Sequence, residues 1–309
     1  MPKRTTSATE LSRADELFDR VTVWGRSRRD VRGIVLIGSH ARTSPPADRW
    51  SDVDLLISCH DPEALIESTD WLEALGEARI TFLEKNPVDG ERERRVAFSN
   101  GLDVDFNFVS ARRLRLLRFA LGRGRFLVTP SLRRQARDGA LALATIMRPG
   151  YRILLDKDGL LAALAVVVVQ PIPANERQLD EIASDFWYHA IWTAKKLRRG
   201  ELWMAKGCCD AYLKDRVAEV LSLGRERPDG LPRMRFIDEA LDAKTAKLLR
   251  KSHAKYDRAD LARALKVTLD LFAQAARQTA ERLALTLDES EEQFARAEVA
   301  RVLAEAESS

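Results

Sequence analysis

The chain has 309 residues, with 51 Lys+Arg against 47 Asp+Glu, 45% hydrophobic residues and three cysteines. At roughly 100–200 residues per domain that length makes about two domains, and the apolar fraction excludes a largely disordered chain. The net charge of +4 is compatible with any anionic ligand and selects none.

The longest apolar run, Leu160–Val169, falls well short of the ~18–20 residues that span a bilayer. The N-terminal Met-Pro-Lys-Arg-Thr-Thr-Ser stretch has no apolar core of a secretory signal. Cys208 and Cys209 are adjacent and Cys59 stands alone, so the expectation is a reducing, cytoplasmic setting without a disulfide framework. Four dispersed histidines without an HxxxH or HxH pattern argue against a zinc enzyme.

In chain order, Leu11, Ala14, Leu17, Phe18, Val21 and Trp24 predict an amphipathic helix over 8–25. A β-branched run, Gly33–Ile37, predicts a buried strand ending at Gly38-Ser39 and a Pro45-Pro46 loop. Val53–Ile57 reads as a second strand, 63–75 as a helix and Arg79–Leu83 as a third strand. Arg95–Ser99 and Leu102–Val109 flank Asn100-Gly101, a favoured two-residue hairpin turn. In the second arm Leu102, Val104, Phe106 and Phe108 alternate with Asp103, Asp105 and Asn107, which puts both carboxylates on the polar face. From Ser110 to Arg148 the chain carries ten arginines without interleaved aromatics for base stacking, which reads as a solvated basic helix pair rather than a nucleic-acid surface. Asp156-Lys-Asp-Gly159 marks a turn and Pro171–Asn175 a linker. Helices follow over 176–198, 200–222, 239–255 and 258–286, then a charged, loosely helical tail. The expected architecture is an α+β N-terminal domain, 1–157, with a mixed sheet flanked by helices, followed by an all-α helical domain, 158–309.

The chemistry sits where the first strand ends. Thirteen residues after Ser39 come Asp52-Val53-Asp54, whose two carboxylates project to the same side of an extended chain. Adjacent carboxylates repel, and a divalent cation with a taste for hard oxygen, magnesium or manganese, relieves them. A third acid, Asp103 or Asp105, would complete a cluster for two metals if its strand neighbours 53–57. Gly38-Ser39 would then let the backbone and the hydroxyl approach a triphosphate.

These residues resemble the nucleotidyltransferase superfamily of polymerase-β-like fold. More narrowly, the chain is similar to the aminoglycoside 6-adenylyltransferases, also called streptomycin adenylyltransferases. The narrower likeness rests on the Gly-Ser to Asp-x-Asp step and on Leu154-Leu-Asp-Lys-Asp-Gly159. It rests also on Asp185-Phe-Trp-Tyr188, Ala194-Lys-Lys-Leu197 and Glu201-Leu-Trp-Met-Ala205. His40 follows Gly38-Ser39 where that family usually has arginine. The resemblance implies metal ligands at Asp52, Asp54 and, through its apolar-Asp-apolar step, Asp105 rather than Asp103. It implies two Mg2+ ions, ATP as co-substrate, and Gly38, Ser39 and a lysine on the triphosphate. Periodicity does not choose between Lys195 and Lys196, and the family's Ala-Lys step favours Lys195, with Lys206 a weaker substitute.

Helix 176–198 carries Glu176, Asp180, Glu181 and Asp185 as two like-charge i,i+4 pairs, an arrangement that opposes the helix. A cationic acceptor would want such carboxylates, so Asp185 and Trp187 are candidate acceptor contacts, Trp187 also reading as core. The function expected is transfer of AMP from ATP to a hydroxyl of a small cationic acceptor such as streptomycin, with no membrane or nucleic-acid partner. A polynucleotide 3′ end as acceptor, or a non-catalytic nucleotide-binding regulator, are the alternatives.

Overall fold

The computed structural model describes residues 8–43, 46–85, 92–122, 127, 129–147, 150–165, 174–223, 237 and 241–304. The chain divides into two compact units, Met1–Pro171 with Pro228–Gly230, and Ile172–Arg227 with Leu231–Ser309.

The first unit is built on a sheet of six strands: β1 (Val31–Ile37), β2 (Val53–Cys59), β3 (Ala78–Lys85), β4 (Arg92–Phe98), β5 (Asp103–Ser110) and β6 (Arg152–Asp156), in the order β3-β4-β5-β2-β1-β6. Every pairing is antiparallel except β2 with β5. One face is closed by helix α1 (Ala8–Ser27), whose Ala14, Leu17, Phe18, Val21 and Trp24 are buried with Leu36, Leu55 and Phe106. On the other face Val35, Ile37 and Leu56 pack with Leu114 of α3 (Ala111–Leu121), Met147 of α4 (Pro130–Met147) and Leu160, Leu161 and Leu164 of α5 (Leu160–Ala165).

The structure corrects three local expectations. The helix expected over 63–75 is broken: α2 (Pro62–Glu67) ends at Ser68, whose ψ of 149° is extended, and a 3-10 turn follows over Asp70–Ala74. Trp71 Nε1 donates to the Leu65 and Ser68 carbonyls, both at 2.9 Å, which satisfies backbone groups exposed by the break. The Asn100-Gly101 turn is a three-residue loop, because Phe98 N donates to Leu102 O at 2.9 Å and Gly101 has φ +82°. The extra residue pairs Val96 with Val104 and Arg95 with Asp105, so apolar meets apolar and charge meets charge. The segment ahead of Asp156 is strand β6, paired with β1.

The Asp156–Gly159 turn gathers three elements. Lys157 Nζ donates to the carbonyls of Gly25 at 2.7 Å and Arg28 at 2.6 Å, at the C-terminal end of α1, where a cation opposes the negative pole of the helix. The Asp156 carboxylate accepts from Leu160 N at 3.1 Å and Ala162 N at 3.0 Å at the start of α5. Asp158 pairs with Arg32 and Arg115, and the Arg32 hydrogen bond first of all holds its carboxyl down at about 2. Because α5 packs under the sheet, residues 160–165 lie with the first unit, beyond the 157/158 division expected from sequence.

The second unit is helical: α6 (Glu176–Arg198), α7 (Leu202–Gly207), a π turn over Cys208–Tyr212, α8 (Leu213–Ser222), α9 (Ala243–Ser252), α10 (Arg258–Leu283) and α11 (Ser290–Ala304). Asn175 and Gln178 close a capping box on α6, and Phe186 stacks on Phe272 with centroids 3.7 Å apart. The tail helix is packed rather than loose, since Ala295, Val299 and Val302 are buried. Arg277 and Arg296 hold Glu292 at 2.9 and 2.8 Å. No helix among the described residues is long and apolar enough to cross a membrane.

Replacing Lys157 removes a charged donor from carbonyls that have no other helix partner. Lys157→Met is expected to lower folding stability by about 1.5–3 kcal/mol. Denaturant midpoints of parent and variant check this, and equal midpoints would count against the capping role.

Candidate active site

The three acids singled out by sequence come together. One oxygen each of Asp52, Asp54 and Asp105 lie within 4.8 Å of one another. Backbone register explains why: β2 and β5 run parallel with Asp54 directly opposite Asp105, and residues opposed in this way share a face. Val53 and Val104, one step along, are fully buried on the other side. Asp103, the alternative third acid, is exposed at the strand's start and outside the cluster.

Gly38 stands against this group. Its φ of +67° lies in the left-handed region, and a Cβ there would overlap the Asp54 carboxylate. Ser39 is 1% exposed, and its Oγ donates to the Asp52 carbonyl at 3.2 Å. The turn that follows β1 is thereby tied to the start of β2. His40 packs edge-on to Phe18 at 5.8 Å, and burial pushes its imidazole below the usual range.

Asp105 is 7% exposed. Burial is the main cause that pushes its carboxyl up to about 6, opposed by Arg95 and reinforced by Glu93 and Asp52. Arg95 had no place in the sequence reading. Its Nη2 lies 3.3 Å from Asp105 Oδ2 and 3.0 Å from Glu93 Oε1, and its Nε lies 2.7 Å from Glu84 Oε2. One guanidinium therefore cross-links β3, β4 and β5. Matching the alternation of the two hairpin arms, Val96 on Val104, is the sequence signal that finds it. Three carboxylates with hard oxygen donors, one of them largely dry, fit a divalent cation such as magnesium.

The residues expected from the helical unit fare differently. Trp187 is 5% exposed and packs edge-to-face on Phe272 at 5.4 Å, with Arg296 over its ring. It belongs to the core, because α6 buries a stripe wide enough to take both Phe186 and Trp187. Asp185 already accepts from Tyr212 Oη at 3.0 and 2.9 Å, Arg216 Nη1 at 3.2 Å and His189 Nδ1 at 2.9 Å. Of the lysines, Lys196 pairs with Glu201 at 2.6 Å and Lys206 pairs with Asp210, while Lys195 is exposed on α6.

Carboxylates converging behind a close-fitting glycine turn suit a metal-bound triphosphate, and the chain is an enzyme of the nucleotidyltransferase class. More narrowly, the profile of the streptomycin adenylyltransferase family matches residues 11–301, and the chain belongs to that family. Among solved structures, an aminoglycoside 6-adenyltransferase from Bacillus subtilis shares 14% identity, with 94% of this chain and 97% of that one covered and a TM-score of 0.40. A nucleotidyltransferase-like protein from Exiguobacterium sibiricum 255-15 also shares 14% identity, covering 94% and 89%, with a TM-score of 0.38. A CCA-adding enzyme in complex with CTP shares 11%, covering 93% and 72%, with a TM-score of 0.30. Likenesses of this size add nothing to the family match. A comparison with curated proteins finds no match.

The raised carboxyl of Asp105 has a signed consequence for stability. Between the ordinary Asp value near 4 and about 6 the folded chain holds a proton there that the unfolded chain does not, so this group destabilises the metal-free fold increasingly as pH rises through that window. Buried His40 titrates in the opposite sense, so the comparison is made with Asp105→Asn. Without divalent metal, the stability of Asp105→Asn relative to parent is expected to be higher at pH 7.5 than at pH 5. Melting temperatures at both pH values test it, and a pH-independent difference would refute the assignment.

Proposed function

We propose that this enzyme transfers AMP from ATP to a hydroxyl of an aminoglycoside, of which streptomycin is the first to test. The observation that most supports the reading is the convergence of Asp52, Asp54 and Asp105 within 4.8 Å, behind a glycine that no other residue can replace without displacing Asp54.

In this reading Asp52 and Asp54 hold magnesium. Two such ions, when bound, neutralise the triphosphate and lower the pKa of the acceptor hydroxyl. Asp105 completes the cluster on the acceptor side, and its raised proton affinity suits it to take part in removing the hydroxyl proton. The acceptor oxygen attacks the α-phosphorus, the bond to the bridging oxygen breaks and pyrophosphate departs with that electron pair. Gly38 and Ser39 line the β- and γ-phosphates, Gly38 by allowing close backbone approach and Ser39 by bracing the turn against β2. Most of the acceleration comes from positioning and charge neutralisation.

A second reading, a polynucleotide 3′ end as acceptor, draws on the exposed Arg112, Arg118, Arg134 and Arg137 of α3 and α4. Its signature is RNA binding that weakens steeply with salt.

A screen of ATP, GTP, CTP and UTP against an aminoglycoside panel, scored by pyrophosphate release, is expected to single out ATP with an aminoglycoside. Product release with RNA alone would move the reading to the polynucleotide acceptor. Asp52→Asn and Asp54→Asn are each expected to lower turnover by at least ~100-fold, about 2.7 kcal/mol in the barrier, while staying folded. Near-normal turnover by either would sink the metal assignment. Lys195→Ala is expected to raise the KM for ATP with little effect on that for the acceptor. If Lys195→Ala is silent and Lys196→Ala or Lys206→Ala is crippling, the lysine has been misassigned.

A further inference from the structure

The outer half of the sheet leaves one face open beside the carboxylates. Cross-strand pairing runs from Phe82 to Arg95, from Arg95 to Asp105 and from Asp105 to Asp54, and on the same face Glu84 pairs with Glu93 and Glu93 with Asn107. Since directly paired residues project to the same side, Ile80, Phe82, Glu84, Glu93 and Arg95 share the face of Asp105. Over β1 and β2 that face is closed by α3, α4 and α5. Over β3 it is not: Ile80 is 63% and Phe82 50% exposed.

We infer that this open face, continuous with Asp105, is the seat of the acceptor, and that its occupant is a polycationic saccharide. The inference rests on the AMP-transfer reading and adds to it where the acceptor lies and which side chains choose it. Continuity is the first argument. The acceptor hydroxyl has to reach the carboxylate cluster, and the uncovered route across the sheet from Asp105 leads over β4 to β3. Strands lie about 4.8 Å apart, so Phe82 on β3 is roughly 10 Å from Asp105 on β5, a distance a small oligosaccharide spans.

Charge is the second argument. Glu84, Glu93, Asp103 and Asp105 stand on this face against the one Arg95, whereas the chain as a whole carries a net +4. A cation entering here is attracted locally although the protein is basic overall. Arg95 touches Glu84, Glu93 and Asp105, so it holds their oxygens in fixed directions before the acceptor arrives and acts as a positioning residue. Apolar exposure is the third. A phenyl ring and an isoleucine side by side on an edge strand are a liability unless something covers them, and the C–H faces of sugar rings match them. The carboxylate of Asp185, by contrast, already has Arg216, Tyr212 and His189 as partners.

The test uses the full chain with Mg2+ and a non-hydrolysable ATP analogue, titrated calorimetrically with streptomycin and then with a panel of aminoglycosides. Phe82→Ala and Glu84→Gln alter exposed side chains and are compared with the parent for binding, for the KM values of acceptor and ATP, and for sedimentation. Each is expected to weaken aminoglycoside binding by about tenfold or more, that is ~1.4 kcal/mol, while the KM for ATP stays within about twofold. If the parent binds aminoglycoside and neither variant changes its affinity, the seat is wrong and AMP transfer stands. If the parent neither binds nor modifies any aminoglycoside, both readings fall. Dissociation of a parent dimer by Phe82→Ala would make the face an interface between two copies of this chain and overturn the inference.

Discussion

Mutual repulsion among Asp52, Asp54 and Asp105 is the constraint around which the first unit is organised. Three carboxyl oxygens within 4.8 Å, one on a side chain that is 7% exposed, are unfavourable when all are ionised. The parallel register of β2 and β5 imposes this crowding, because it sets Asp54 opposite Asp105 and leaves no freedom to separate them. Two features relieve it. Arg95 brings one positive charge from the neighbouring strand, and a divalent cation supplies the rest when bound. The unit thus carries a local cost to its stability at the point where its chemistry is done, as strained functional sites do.

Close packing around the carboxylates follows from the same constraint. Gly38 lies so near Asp54 that a side chain has no room, and the backbone there is in the left-handed region. Ser39 then ties the turn to β2 through the Asp52 carbonyl. Opposite them, Arg95 spreads its contacts over Glu84, Glu93 and Asp105, so the acidic side chains of three strands move as one network. A guanidinium with a planar fork of donors can do this where a lysine cannot.

The Asp156-Lys-Asp-Gly159 turn belongs to the scaffold rather than to the chemistry. Its lysine closes the end of α1, its first aspartate opens α5, and its second aspartate joins Arg32 of β1 to Arg115 of α3. All four contacts are local to the first unit. In the helical unit, too, most polar groups in the interior answer to one another: Lys214, 4% exposed, donates to the Cys209 and Ser252 carbonyls and to Thr268 Oγ1.

The amino-acid sequence by itself determined the existence of β1, β2 and the β4–β5 hairpin, the helices of the second unit, the Gly38-Ser39 turn and the pair Asp52 and Asp54. Each of these rests on periodicity or on conformational preference, which act within a few residues and are read directly from residue order. Tertiary structure decided what depends on partners distant in the chain. The choice of Asp105 over Asp103 follows from the pairing of β5 with β2. Arg95 reaches Asp105 only because the loop at Asn100-Gly101 has three residues, and a two-residue turn would have set Val96 there instead. Periodicity put Asp185 and Trp187 on one helix, but only the packing of α10 buried Trp187, and only the π turn and α8 supplied Tyr212 and Arg216 to Asp185. Register and packing are settled by contacts between segments far apart in sequence, and a one-residue slip reverses the face of every side chain in a strand.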